Sequence, residues 1–133
     1  MTVDARGAAR AWVDAWTRGW PARDVDAIAA RYRPDAPYRS HPFREPTTAR
    51  GYLTWAFEEQ AGLTFRFGEP VVDEAARRAV VEYWAVITTH DGGEVSVAGT
   101  SVLRFDPDGL VEEHRDYWTE LDGAVEPPPG FGT

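Results

Sequence analysis

The sequence predicts an α+β fold in which three N-terminal helices close a curled antiparallel sheet, giving a cone-shaped half-barrel. Three observations predict it. Apolar residues recur at helical spacing in three stretches before Gly62, the period falls to roughly two after it, and the second half is divided by turn chemistry into long segments. At 133 residues the chain has room for one domain, read as residues 1–121, and a Pro/Gly-rich tail over residues 122–133.

The first helix runs from Val3 to about Trp20. Ala5, Ala8, Ala9, Trp12, Val13 and Trp16 form its apolar stripe, Asp4, Arg6, Arg10, Asp14 and Arg18 point elsewhere, and Gly19 and Pro21 end it. A short second helix, capped by Asp24 or a neighbour, puts Val25, Ile28, Ala29 and Tyr32 on one face. Pro34 and Pro37 break the pattern, so Ala36 to His41 reads as extended, running into the loop Pro42 to Pro46. Thr47 or Thr48 caps a third helix that reaches about Gln60.

Four strands follow: Leu63 to Val72, Arg78 to Thr89, Glu94 to Phe105 and Leu110 to Leu121. Gly68-Glu69-Pro70 marks a bend, and His90-Asp91-Gly92-Gly93 and Asp106-Pro107-Asp108-Gly109 mark hairpins, so the strands form an antiparallel meander. The strand after Arg78 is apolar on both faces, with Val81, Tyr83, Ala85 and Ile87 on one and Val80, Trp84 and Val86 on the other. One face packs on the helices; the other needs a cover, for which the expectation is a homodimer. The tail, with Glu126-Pro127-Pro128-Pro129-Gly130, reads as a mobile or surface-clinging end.

Composition narrows the chemistry. A net charge of −8, from 22 acidic and 14 basic residues, disfavours nucleic acid as a partner, because phosphate contacts need free cations. Cys is absent, which excludes thiol chemistry, disulfides and iron–sulfur ligation; every basic residue is Arg, which excludes Schiff-base and P-loop lysines. No apolar run is long enough to span a membrane and the N-terminus lacks the marks of a leader, so a cytoplasmic location is expected. His41, His90 and His114 lack metal-ligand spacing, and neither metal nor cofactor is expected. The positive feature is aromatic: six Trp, six Phe and five Tyr, enough to wall a cavity as well as fill a core.

At the residue level the chain resembles the SnoaL-like polyketide cyclase group of the nuclear transport factor 2-like superfamily, whose other members include ketosteroid isomerases and limonene epoxide hydrolases. The resemblance spans about Ala8 to Glu120. It rests on Asp24-Val25-Asp26-Ala27-Ile28 leading to Tyr32, on Asp35-Ala36 and Tyr38-Arg39-Ser40-His41-Pro42-Phe43, on Arg50-Gly51, and on Asp108-Gly109-Leu110-Val111 with Arg115-Asp116-Tyr117-Trp118. It implies a deep pocket between sheet and helices. The isomerases' oxyanion tyrosine then falls at Trp12, their general-base aspartate at Ser40 or His41, and their protonated aspartate near Ser101. The epoxide hydrolases' Arg-x-Asp pair falls at Tyr83 and Ala85, and their last-strand aspartate at Asp116.

The remaining chemistry belongs to carboxylate and imidazole. Alternation on the last strand puts Glu112, His114, Asp116 and Trp118 on one face, which the epoxide hydrolase resemblance turns toward the pocket. Asp116, His114 and His41 are the catalytic candidates. Trp12, Trp16, Tyr32, Trp55, Tyr83, Ser101 and Trp118 are the candidate ligand-binding residues. The function expected is binding of a small apolar, aromatic or polycyclic ligand, with cofactor-free acid–base catalysis of cyclase, isomerase, dehydratase or hydrolase type; the alternative is a non-catalytic ligand-binding or dimerising accessory protein.

Overall fold

The computed structural model describes residues 3–133; Met1 and Thr2, the start of the stretch read above for a leader, lie outside it. Helices α1 (Ala5–Gly19), α2 (Val25–Ala29) and α3 (Ala49–Glu59) occupy the first half, with the two-residue strand β1 (Tyr38–Arg39) between the last two. Strands β2 (Gly62–Phe67), β3 (Val71–Asp73), β4 (Arg78–Thr88), β5 (Glu94–Phe105) and β6 (Val111–Asp122) complete the chain. They form one sheet in the order β1-β6-β5-β4-β2, with β3 also paired to β4. Its pairings are antiparallel except for β1 on β6. The sheet curls without closing, as the α+β reading expects.

Two predicted segments are shorter than the sequence suggests. The run Leu63 to Val72 is two strands, because Pro70 has no N–H for the ladder; Gly68 N–H still reaches Glu82 O (2.8 Å), whereas Glu69 N–H turns to Gly132 O (3.0 Å). The extended run Ala36 to His41 pairs only at Tyr38 and Arg39, where it joins β6.

Helix ends tie the helices to the sheet. The Asp4 carboxylate accepts from Gly7 N–H (2.6 Å), and Glu74, from the β3–β4 turn, accepts from the N–H groups of Ala5 (3.0 Å) and Arg6 (2.8 Å). Negative charge at a helix N-terminus contributes ~0.3–1 kcal/mol, and here it also fixes α1 against β3 and β4. At the other end of the helical layer, Arg23 donates to Phe57 O (2.5 Å) and Gln60 O (3.1 Å), satisfying carbonyls that α3 leaves open. Asp24 and Thr48 cap α2 and α3.

Gly99 of β5 pairs with Trp118 of β6, and a Cβ there would lie 2.6 Å from the Trp118 Cβ and closer still to the Tyr117 carbonyl. The two strands approach too closely for any side chain. Glycine at such a point accommodates the bend of a curled sheet.

The C-terminal tail clings to the outer face of β4. Trp84 Nε1 donates to Val125 O (2.7 Å), the Phe131 ring meets Trp84 edge-on at 6.1 Å, and Gly132 N–H donates to the Glu82 carboxylate (2.8 Å). Part of the surface that the sequence assigns to a second copy is thus covered by the chain itself. Val80 (38% exposed) and Val71 (72%) stay open beside it.

Candidate functional site

A cavity opens between the inner face of the sheet and α1 and α3. Its volume is about 180 Å³. Three periodicities build its wall. Residues four apart on α1 and its C-cap present Trp12, Trp16 and Trp20 as a ladder of indoles, with ring centroids 5.7 and 5.2 Å apart. Alternation on β2 and β4 adds Phe65, Phe67, Tyr83 and Ala85. Alternation on β6 adds His114, Asp116 and Trp118, as the face assignment requires.

Strand register then sets the polar contacts. Ser101 of β5 pairs with Asp116 of β6, and its hydroxyl donates to Asp116 Oδ1 (2.7 Å). Tyr38 of β1 pairs with His114 in the parallel ladder, and the two rings stack with centroids 3.9 Å apart. His114 Nε2 lies 2.6 Å from the same Oδ1, and its Nδ1 lies 2.8 Å from the Tyr32 hydroxyl.

The hydrogen bonds around Tyr32 decide the tautomer. Its oxygen accepts from the indole N–H groups of Trp12 (2.8 Å) and Trp16 (3.2 Å). Both acceptor positions are then filled, so the phenolic proton must go to His114 Nδ1. That nitrogen is an acceptor, so the proton of a neutral imidazole sits on Nε2 and is donated to Asp116. Asp116 Oδ1 therefore receives two donors, while among the described residues Oδ2 has only the Tyr38 hydroxyl at 3.4 Å, a weak contact.

Burial holds the phenols in and behind the cavity wall in their protonated form. It raises the pKa of Tyr32, Tyr38, Tyr52 and Tyr83 well above the usual tyrosine value, and the Asp116 charge pushes each further up. The hydroxyls of Tyr52 and Tyr83 make no hydrogen bond to a described residue. They are free donors in the wall that also holds Asp116.

Of the residues singled out from sequence, Asp116, His114 and Ser101 come together at the inner wall, and Trp12, Trp16, Tyr83 and Trp118 surround them. Trp55 lies nearer the outside, 47% exposed. Two take other places. Tyr32 stands behind His114, where it is buried and outside the cavity lining. His41 sits on the loop after β1, its Nδ1 accepting from Phe43 N–H (3.2 Å) and its ring edge-on to Trp118 at 4.9 Å, so it too is off the lining. A turn residue whose imidazole is engaged by its own loop reaches the wall only through Trp118. Sequence reasoning missed Tyr38, Tyr52, Trp20 and Arg44, although Tyr38 and Ser40 are two apart on the extended segment and so share the face that lines the cavity.

The model of the SnoaL-like domain matches residues 9–114. The chain belongs to the SnoaL-like domain family. No match is found among curated protein sequences. Similar solved structures include SalBIII, an epoxide hydrolase/cyclase-like enzyme with a role in pyran ring formation in the polyether salinomycin, at 19% identity and a TM-score of 0.72, with 83% of this chain and 89% of that one covered. They include an LEH-like epoxide hydrolase of M. tuberculosis (23%, TM-score 0.64, 84% and 82% covered) and AusH from Aspergillus nidulans (17%, TM-score 0.67, 83% and 84% covered). Identities this low show a shared fold. Within this SnoaL-like domain, Trp12 stands where the resemblance puts an oxyanion tyrosine, and its N–H is already committed to Tyr32. Tyr83 and Ala85 give the wall a ring and a methyl group.

Proposed function

We propose that this SnoaL-like domain binds a small, largely apolar, oxygen-bearing molecule and acts on it by acid–base chemistry, with Asp116 as the base. One observation carries the reading: the Asp116 carboxylate is buried in a wall of rings, with Oδ1 held by Ser101 and His114 and Oδ2 left nearly free. Two donors on one oxygen fix the carboxyl plane and aim the other oxygen. Ser101 and His114 are therefore positioning residues, and Tyr32 positions His114 in turn.

In the proposed step Oδ2 takes a proton from a carbon beside a carbonyl, from a hydroxyl or from water, and a tyrosine hydroxyl in the wall hydrogen-bonds to the oxygen on which charge develops. Tyr52 and Tyr83 suit that task because burial keeps their protons in place. Isomerisation, dehydration, ring closure and epoxide opening all begin with such a transfer. The likeness in fold to an epoxide hydrolase/cyclase-like enzyme and to an epoxide hydrolase supports this class of reaction.

A general test needs no natural substrate. 2-Tetralone is an apolar ketone with an exchangeable C–H beside its carbonyl, and its deuterium uptake in D2O is read by mass spectrometry. Catalysed uptake should fall on the order of 100-fold or more in Asp116→Asn, while calorimetric affinity for the ketone stays within about threefold. Equal uptake in the variant would remove Asp116 as the base. Binding without catalysed uptake in the wild type would leave the domain as a ligand-binding module.

A further inference from the structure

At the mouth of the cavity stands a guanidinium with no carboxylate partner among the described residues. Arg44 lies on the loop between β1 and α3, and its guanidinium carbon sits 5.5 Å from the Trp55 ring centroid and 5.3 Å from that of Trp118. Both rings line the cavity, as does Arg44 itself. Among the described residues no carboxylate oxygen lies within 4.0 Å of it, and its one side-chain hydrogen bond goes to Ser40 Oγ (3.1 Å).

The surroundings hold this group in place. Trp118 Nε1 donates to Ser40 O (2.5 Å), which fixes one of the indoles beside the guanidinium. Arg39 donates to the carbonyl of Arg44 (2.5 Å), and Arg44 N–H to His41 O (3.1 Å), which fixes the loop. Arg39 likewise has no carboxylate within 4.0 Å among the described residues, so two cationic side chains converge on one short segment of a chain whose net charge is −8. The charge of Arg44 is also felt inward. For Tyr52 and Tyr83, where burial and then Asp116 raise the phenol pKa, Arg44 pulls in the opposite direction.

A guanidinium over an aromatic ring keeps in-plane N–H donors available, since the ring meets a face of the group and not the edge that carries its N–H bonds. Glu120 and Asp116 are the acidic side chains of the lining. We infer that Arg44 is the specificity-determining residue of the mouth and that the ligand is an apolar molecule carrying one carboxylate, its rings or chain in the aromatic cavity and its carboxylate on the Arg44 N–H fork. This assignment rests on the reading of the cavity as an apolar ligand site, and it narrows that ligand to an organic acid.

The test compares 2-naphthoate with 2-acetylnaphthalene, which has the same shape with a neutral methyl ketone in place of the carboxylate, by calorimetric titration of the full chain. The wild type should bind the acid roughly tenfold or more tighter than the ketone, and Arg44→Met should remove that preference, the acid losing roughly tenfold more affinity than the ketone. Arg44→Lys, which keeps the charge without the fork, should recover part of it. An unchanged melting temperature shows that the variants fold. Ketone binding with no preference for the acid, or an equal loss of both probes in Arg44→Met, overturns the role of Arg44 and leaves the apolar cavity standing. If neither probe binds the wild type, the reading of the cavity falls, and this assignment with it.

Discussion

The Tyr32 hydroxyl donates to Nδ1 of His114 across 2.8 Å, and this single contact decides which nitrogen of the imidazole carries its proton. The two residues are 82 positions apart, and the bond joins the helical layer to the last strand. Tyr32→Phe should therefore release the tautomer. Long-range nitrogen–proton NMR should find the Nε2–H form alone in the wild type and a mixture in the variant. The change also strands two buried indole N–H groups at ~1–3 kcal/mol each, so the melting temperature should fall by on the order of 10 °C.

Ser101→Ala removes one of the two donors that fix Asp116 and leaves His114 to hold Oδ1 alone. If Ser101 is a positioning residue, the turnover rate for deuterium uptake by 2-tetralone should drop roughly tenfold with the apparent KM nearly unchanged. A rise in KM at constant turnover would show instead that Ser101 contacts the ligand.

Alkaline pH should unfold the protein abruptly. In the unfolded chain tyrosines lose their protons near pH 10, whereas burial keeps Tyr32, Tyr38, Tyr52 and Tyr83 protonated well above it. Their contribution is fully present below about pH 10 and is lost as pH rises toward the folded values, by ~1.4 kcal/mol per pH unit for each phenol. The melting temperature should decline steeply above about pH 10. Absorbance of these four tyrosinates should appear together with loss of the near-ultraviolet circular dichroism signal; a smooth titration of all four in a folded protein would contradict the burial described.

The fold was legible because its signals are local. Asp24 and Thr48 cap their helices from positions next to the first turn, and β5 runs from Glu94 to Phe105 because the flanking turns are written in Gly, Pro and Asp. Alternation was enough to put His114, Asp116 and Trp118 on one face of β6. The partners of that face could not be read in this way. Tyr38 meets His114, and Trp118 meets Ser40, through the parallel pairing of a two-residue strand 76 positions from its partner. Arg44 looks like an ordinary loop cation until α3 and β6 bring the Trp55 and Trp118 rings to it. His41, beside it in sequence, has the better residue type for catalysis and the wrong direction.

The tail gives a prediction on the opposite side of the sheet. A Cβ on Gly68 would collide with the Cα of Gly132, and one on Gly132, whose φ is +79°, would lie 2.8 Å from the Cα of Gly68. Gly68→Ala should lift the tail from β4. Hydrogen exchange should quicken at Val125 and Gly132, whose N–H groups donate to Ser96 and Glu82, while the amides of β5 and β6 stay protected. Ligand affinity should stay within about twofold, since the tail lies on the face away from the cavity.

The indole ladder of α1 has an optical consequence. Trp16 and Trp20 lie nearly parallel, 15° apart in plane, and Trp16 also touches the Tyr32 and His114 cluster through its N–H and its ring. Chromophores so close exchange excitation, and their coupled transitions give a circular dichroism couplet that depends on the angle between them. A guest entering the cavity would tilt or quench that pair before any reaction takes place. The domain thus carries an intrinsic dye at the wall of its own cavity, and unlabelled protein can report whether a compound has gone in.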